Sequence, residues 1–299
     1  MKKIVPFLIL FIVANQAIPH GIDGCSVGSV LNGVNQSGTS NYLGIQSIYF
    51  NNNSPVQDFW GKMYSNSSTG NSLNLSGRYY FRHKIGLSGT INYNWLKEVT
   101  YVDKNTTSGI GDSRVLIELP IYKKITSDKN VFFSLSAGLE VPTGKMSDNL
   151  TLRAFSTGSG SWDFPIQFQF FTNKNHKGLN INFAYQVNSF NPNNYKFGNQ
   201  LSFSASTFKS WQMGSSTISL SSGIQLLHFA NDHSKFNTIK YEINNQRSFG
   251  LFKLNASFRY LNSLFQLGIS KNIYYQGNNT YGEKLLLINA SIIKTLKHC

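Results

Sequence analysis

The sequence predicts an all-β protein, an up-and-down antiparallel transmembrane β-barrel of about 12 strands. Segments in which apolar and polar side chains alternate recur from residue 41 almost to the C-terminus. The connections between these segments are alternately long and short. The composition agrees, because 14% of the residues are aromatic and only 13% are charged, against a usual charged fraction of about 25%.

The chain begins as an exported protein does. Two lysines precede an apolar run at residues 4–13, and small or polar residues follow. The run is too short to span a bilayer, so we expect a signal peptide over residues 1–17. A periplasmic N-terminal segment would follow at 18–40, and the barrel would occupy 41–299.

Each predicted strand has one apolar face and one face of Asn, Gln, Ser, Gly or charged residues. In the second strand, for example, Leu73, Leu75 and Tyr79 alternate with Asn74 and Ser76. Most of the strands approach or exceed the length of about 9 to 11 residues that a tilted strand needs to cross a bilayer. The predicted strands lie near residues 41–51, 71–83, 85–97, 109–123, 130–141, 161–172, 178–190, 197–208, 215–229, 249–260, 264–275 and 283–294.

The lengths of the connections orient the barrel. Membrane barrels have short periplasmic turns and longer external loops, and an even strand number then places both chain ends on the periplasmic side. The long connections are predicted at residues 52–70, 98–108, 142–160 and 230–248. The short ones are predicted at 83–84, 127–128, 173–177, 210–214 and 261–263.

A soluble β-sandwich or lipocalin-like barrel is the alternative to a membrane barrel. Its strands would be shorter and its polar faces richly charged. The apolar faces of about twelve strands exceed what one water-soluble core buries. Aromatic residues also collect near strand ends, as the girdles at the two bilayer interfaces require, and these are Tyr79, Phe81, Trp95, Trp162 and Trp211. We therefore predict the bacterial outer membrane as the location.

If lipid surrounds the barrel, the polar faces line its lumen. Along the strand at 109–123, the lipid side would consist of Gly111, Ser113, Val115, Ile117, Leu119 and Ile121. The charges predicted to face the lumen are Arg78, Arg82, Asp112, Arg114, Glu118, Glu140, Asp163, Lys253 and Arg259. Two interpretations stay open, namely a polar constriction that selects solutes and a network that fills and stabilises the barrel. About twelve strands predict a narrow or partly plugged pore.

No catalytic, metal-binding or cofactor-binding arrangement is evident. A barrel phospholipase needs a His two residues before a Ser on a strand, and none of the six histidines is so placed. The set His228, Asp232 and His233 is the nearest to a metal or protease site, but a solvated loop is more typical of that sequence. We expect no enzyme activity, no cofactor and no nucleic-acid partner. Whether Cys25 and Cys299 form a disulfide stays open, as does the oligomeric state.

Three short segments occur in a fixed order along the chain. They are GIGD at 109–112, GLEVPTG at 138–144 and TGSGSWD at 157–163. In that order and spacing they resemble the outer-membrane proteins of the phenol meta-degradation pathway type, a family of transporters. The resemblance implies a channel for small, often hydrophobic molecules, without carrying over phenol as the solute. Some relatives have a cysteine cluster after the signal peptide, of which this chain keeps Cys25.

The functional expectation is a passive outer-membrane channel, whose partners are the membrane lipid and a small-molecule solute. Diffusion would drive passage, because no nucleotide-binding or energy-coupling motif is present in the sequence. The alternative is a non-conducting structural or adhesive barrel that acts through its long external loops.

Overall fold

A computed structural model shows a closed antiparallel β-barrel. It describes residues 40–57, 63–81, 85–99, 104–126, 129–146, 156–236, 239–243, 246–277 and 284–296. The barrel strands are β1 (Asn41–Gln57), β2 (Met63–Phe81), β3 (Ile85–Val99), β4 (Lys104–Ile110), β5 (Ser113–Ile125), β6 (Lys129–Val141), β7 (Phe164–Lys174), β8 (Lys177–Val187), β10 (Gln200–Met213), β11 (Ser216–Phe229), β14 (Arg247–Tyr260), β15 (Ser263–Gly277) and β16 (Lys284–Leu296). A separate three-stranded sheet consists of β9 (Tyr195–Lys196), β12 (Asp232–Phe236) and β13 (Ile239–Ile243).

Barrel strands that follow one another along the chain pair by hydrogen bonds, and the first and last strands pair with each other to close the barrel. β1 pairs with both β2 and β16, and β2 pairs in turn with β3. β4 and β5 lie one after the other along β3. The 13 paired segments therefore make a barrel of twelve strands, and the predicted fold class is confirmed.

The outer surface of the barrel is apolar. Along β5, Val115, Ile117 and Leu119 are about half exposed, whereas Glu118 between them is buried. The same alternation occurs on the other strands, so that large aliphatic and aromatic side chains surround the barrel. Only hydrocarbon makes such a surface favourable. The predicted lipid face of β5 is thus confirmed from Val115 to Ile121.

Gly111 departs from this pattern, and the prediction that it faces lipid is wrong. Its N–H donates to the carbonyl oxygen of Asn92 at 2.9 Å, and a Cβ atom on it would lie 2.4 Å from the Asn92 side-chain oxygen. Gly111 and Asp112 are both buried on the inner side, between the end of β4 and the start of β5. This is a bulge, in which two successive residues occupy one side. Strict alternation cannot detect an extra residue of this kind.

The two ends of the barrel differ as predicted. At one end, called the turn end, tight connections join the strands, such as Asn175-His176 with φ of 47° and 64°. Asn41 and Leu296 also pair there, so both ends of the barrel sequence lie at this end. The opposite end, called the loop end, carries the long connections and is the external end of an outer-membrane barrel.

Three of the long connections contain more strand than predicted. β4 begins at Lys104, inside the predicted loop at 98–108. β1 and β2 remain paired as far as Gln57 and Met63, inside the predicted loop at 52–70. The predicted loop at 230–248 contains the hairpin of β12 and β13. Beyond the bilayer both faces of a strand contact water, so the apolar alternation that reveals a strand disappears there.

Several predictions lie outside the described residues. These concern the signal peptide, both cysteines, Arg82 and His83. No helix in the described part of the chain is long and apolar enough to cross a membrane.

Candidate functional site in the barrel lumen

The structure divides the inward charges between the two ends of the barrel. Asp112, Arg114 and Glu140 lie at the loop end, together with Asp163, which directly precedes β7. Glu118, four residues beyond Arg114 on β5, instead belongs to a cluster at the turn end. The inward charges on β5 therefore belong to two separate groups.

Arg114 and Glu140 form an ion pair across β5 and β6. The Arg114 Nε and Nη2 atoms donate to Glu140 Oε2 at 3.0 and 2.5 Å, and the two residues are register partners. Nη2 also approaches Gln186 Oε1 at 3.4 Å. Because both charges are largely buried, each is held by the other rather than by water.

Asp112 fastens a loop inside the barrel. Its Oδ1 accepts a hydrogen bond from the Gly144 N–H at 3.0 Å. Its Oδ2 accepts from the N–H and the hydroxyl of Ser159, at 2.5 and 2.7 Å. A Cβ atom on Gly158 would lie 2.4 Å from Asp112 Oδ1, so glycine permits this approach. Hydrogen bonds to a carboxylate are stronger than neutral ones.

Asp163 holds the same loop from its other side. It accepts hydrogen bonds from the Ser161 hydroxyl at 2.8 Å and from the Ser189 N–H at 2.9 Å. Thr157 is fastened to the preceding segment, because its N–H donates to the Lys145 carbonyl at 3.1 Å. We call residues 142–146 and 156–163 the inward loop.

The inward loop explains why three sequence segments occur together. Asp112 belongs to GIGD, Gly144 to GLEVPTG, and Ser159 and Asp163 to TGSGSWD. Their side chains and amides meet at one place on the inner surface. Ser156, Thr157, Ser159 and Ser161 are buried as a result. The loop occupies part of the lumen.

The opposite side of the lumen at the loop end is apolar. Phe50 and Leu287 are register partners there, as are Leu227 and Phe249. Phe229 packs edge-on against Phe249 with ring centroids 6.0 Å apart. We call this buried cluster the apolar wall, and its members are Ile48, Phe50, Leu96, Leu227, Phe229, Phe249, Leu251, Leu285 and Leu287.

Sequence reasoning missed the apolar wall. A signal for it is nevertheless present, because apolar residues become consecutive at Leu226-Leu227, at Leu251-Phe252 and at Leu285–Leu287. Strands that are apolar on both faces read as continuous apolar runs. The inward side at these positions is therefore as apolar as the lipid side.

A cavity lies where the two sides of the lumen meet. Its volume is about 20 Å³, room for about one water molecule. Arg114 and Gln186 contribute polar groups to its lining, and Leu227 and Phe229 of the apolar wall contribute apolar surface. Polar and apolar groups therefore meet at this point of the lumen.

At the turn end, Arg78 and Glu118 form a second buried ion pair, with Nη1 3.2 Å from Oε2. The Tyr80 hydroxyl donates to the other oxygen of Glu118. Tyr80 reaches Glu118 across Gly86, which is the register partner of both residues. A Cβ atom on Gly86 would lie 2.8 Å from the Tyr80 ring, so this strand crossing requires glycine.

Two further predicted residues lie on the inner face of β14. Lys253 and Arg259 alternate with the outward-facing Phe252, Leu254 and Phe258. Arg259 has an interaction partner within the structure.

His228, Asp232 and His233 do not lie in a solvated loop. Asp232 is buried and accepts hydrogen bonds from the Tyr195 hydroxyl and from the Gly198 N–H. His228 Nδ1 lies 2.9 Å from the Ser248 hydroxyl. Within the described ranges no group of three or more His, Cys, Asp or Glu residues is placed to hold a metal ion. Asp232 instead holds β12 to β9 and to the connection between β9 and β10.

Comparison with known proteins gives one family and one informative structure. The model of the family described as "Putative MetA-pathway of phenol degradation" matches residues 56–223. An outer-membrane channel from Pseudomonas putida F1 superposes with a TM-score of 0.62 at 12% identity, over 86% of this chain and 96% of that one. No functionally curated protein matches the sequence.

Two weaker structural matches are β-barrels of different kinds. The β domain of the Bordetella autotransporter BrkA matches with a TM-score of 0.46 at 6% identity, over 86% of this chain and all of that one (100%). The Ralstonia pickettii toluene transporter TbuX matches with a TM-score of 0.35 at 8% identity, over 92% and 96%. Neither likeness carries an argument about function.

Proposed function

The chain belongs to the phenol-degradation MetA-pathway family and is a bacterial outer-membrane β-barrel, and on that premise we propose that it is a passive channel for small molecules with a largely apolar body. The observation that carries this proposal is the apolar wall. An ordinary porin lumen is polar, whereas here nine buried hydrophobic residues line one side of the loop end. Such a surface lowers the free energy of an apolar solute relative to water.

The cavity supports the same proposal. Arg114 and Gln186 face Leu227 and Phe229 across it, so a solute would contact apolar surface while its polar group remains hydrogen-bonded. This combination is the usual one in small-molecule sites.

Further along the lumen the lining becomes polar. Gln46, Asn92 and Asn182 are buried on the inner face, and their side-chain oxygens accept no hydrogen bond within the described residues. A buried amide left unsatisfied costs about 1–3 kcal/mol, so the polar group of a passing solute would gain a hydrogen bond there. A lining that changes from apolar to polar suits a solute with an apolar body and a polar group.

A non-conducting adhesive barrel is the second candidate function. The observation that favours it is the three-stranded sheet at the loop end, in which Tyr241 and Ile243 are exposed. Asp232 holds β12 of this sheet to β9 and to the segment that follows it. A rigid exposed surface of this kind suits an external partner.

Conductance distinguishes the two candidates. The purified, folded protein is incorporated into planar bilayers in KCl and tested for discrete current steps. The same preparation in liposomes is tested for passage of benzamide, a small neutral aromatic solute, against protein-free liposomes. We expect small steps and accelerated benzamide passage. Folded protein that yields neither result would exclude the channel and leave the adhesive barrel.

A further inference from the structure

Lys253 is an inward charge that lies beside the apolar wall. It lies on the inner face of β14, with Leu251 two positions nearer the loop end. Two residues along a strand correspond to about 7 Å. The side chain of Lys253 is therefore within reach of the lower edge of the apolar wall, and it is half-buried rather than enclosed.

The neighbours of Lys253 are neutral. Its register partners are Gly223 on β11 and Ser270 on β15. The next inward positions in the same row are Ser206 on β10 and Leu287 on β16. No hydrogen bond or ion pair to Lys253 exists within the part of the chain that the structure describes.

Six other inward charges have ion-pair or hydrogen-bond partners within the protein. Arg78 is paired with Glu118, and Arg114 with Glu140. Asp112 and Asp163 accept hydrogen bonds from the inward loop. A cation facing a low-dielectric surface without a partner is costly, and such residues inside a membrane barrel commonly mark the path of a charged solute.

We propose that Lys253, beside the lower edge of the apolar wall, forms a subsite for small organic monoanions, in which a carboxylate binds the Lys253 ammonium. The subsite rests on the proposed channel function and adds a substrate class to it. Leu251 and Leu287 are buried, so they give the site an apolar, low-dielectric boundary, beside which an unpaired charge is costly. The ammonium contributes a charge-assisted hydrogen bond. An aromatic or short aliphatic carboxylate is therefore favoured over its neutral isostere.

The test uses three probes of nearly the same shape: benzoate, benzamide and benzamidinium. Each is titrated against the KCl current of the full-length protein in planar bilayers, and the half-blocking concentration is measured. The wild-type channel is expected to be blocked by benzoate at a concentration about tenfold lower than by benzamide, equivalent to about 1.4 kcal/mol. Benzamidinium is expected to be the weakest of the three.

Three variants test whether Lys253 causes the preference for benzoate. Lys253→Gln is expected to erase the preference for benzoate and leave the benzamide value unchanged, whereas Lys253→Arg keeps the preference. Lys271→Gln is the matched control, because Lys271 lies on the neighbouring strand β15, is exposed, and has the outward-facing Phe252 as its register partner. It should behave as the wild type does.

The outcomes separate the two proposals. A conducting wild type whose benzoate preference survives in Lys253→Gln, or is lost equally in Lys271→Gln, overturns the subsite and leaves the channel. Folded wild-type protein that passes no ion and no probe overturns both. Heat-dependent migration in detergent gels verifies that each variant is folded.

Discussion

The two sides of the lumen at the loop end use their inward residues in opposite ways. On one side, Asp112, Arg114, Glu140 and Asp163 interact with one another or with the inward loop. On the other side, the apolar wall presents side chains that make no directional contacts. Satisfied polar groups contribute to the structure but offer little to a solute, whereas buried apolar side chains can move aside for a solute without breaking a directional contact.

This difference bears on the two interpretations that the sequence left open. The charges that first suggest a selective constriction are held in pairs and loop contacts, which favours the network that stabilises the barrel. In the channel that we propose, selectivity would then depend on the apolar wall and on Lys253. The comparison predicts that variants on the charged side change stability and loop position, and that variants on the apolar side change solute binding.

The largest expected effect is on stability, from removal of Glu118. Glu118→Leu leaves the buried Arg78 guanidinium and the Tyr80 hydroxyl without their acceptor. Breaking one partner of a buried ion pair costs about 3–5 kcal/mol. The free energy of unfolding, measured by urea titration of tryptophan fluorescence in detergent, should fall by that amount.

The double variant Arg78→Met with Glu118→Leu is the control for this prediction. It removes both charges, so it should recover at least half of the lost stability. A double variant as unstable as the single one would show that the pair is not what stabilises the turn end.

Release of the inward loop is the next effect in size. Asp112→Ala leaves the Gly144 and Ser159 amides without an acceptor. The loop can then leave the lumen and bind water instead, so the stability loss should stay near 1–3 kcal/mol. Single-channel conductance should rise severalfold because the lumen widens.

Asp232→Ala is a matched control, since Asp232 is also a buried carboxylate that binds a loop amide at this end of the barrel. It should loosen the external sheet without widening the lumen. Equal conductance in wild type and Asp112→Ala would contradict the role assigned to the inward loop.

The smallest effect is expected on the apolar wall. Leu251→Asn replaces a buried aliphatic side chain that contributes roughly 1.5–3 kcal/mol when covered. The half-blocking concentration of benzamide should therefore rise about tenfold, and the free energy of unfolding should fall as well because Leu251 is fully buried. Ser257→Asn, on the inner face of the same strand but outside the apolar wall, should leave the benzamide value near that of the wild type. If Ser257→Asn and not Leu251→Asn raised the half-blocking concentration of benzamide, the solute would not contact the apolar wall.

The sequence by itself determined the barrel. Alternation of side chains has a period of two only in strands, and lipid imposes it over the whole membrane-spanning length, so the strand number, the lipid face of β5 and the end that carries the long loops follow from local pattern. The three Gly-rich segments also indicate the family correctly, because short-range order along the chain carries that resemblance.

Only the tertiary structure decided which inward residues meet. The bulge at Gly111 and Asp112 depends on pairing with Asn92 in another strand, and the contact between Asp112 and Ser159 joins positions far apart in the chain. The apolar wall likewise brings together β1, β3, β11, β14 and β16, and an apolar run within one strand does not show which other strands it meets. Local periodicity reports the direction in which a side chain points, whereas its partner depends on strand register and barrel closure, which involve the whole chain.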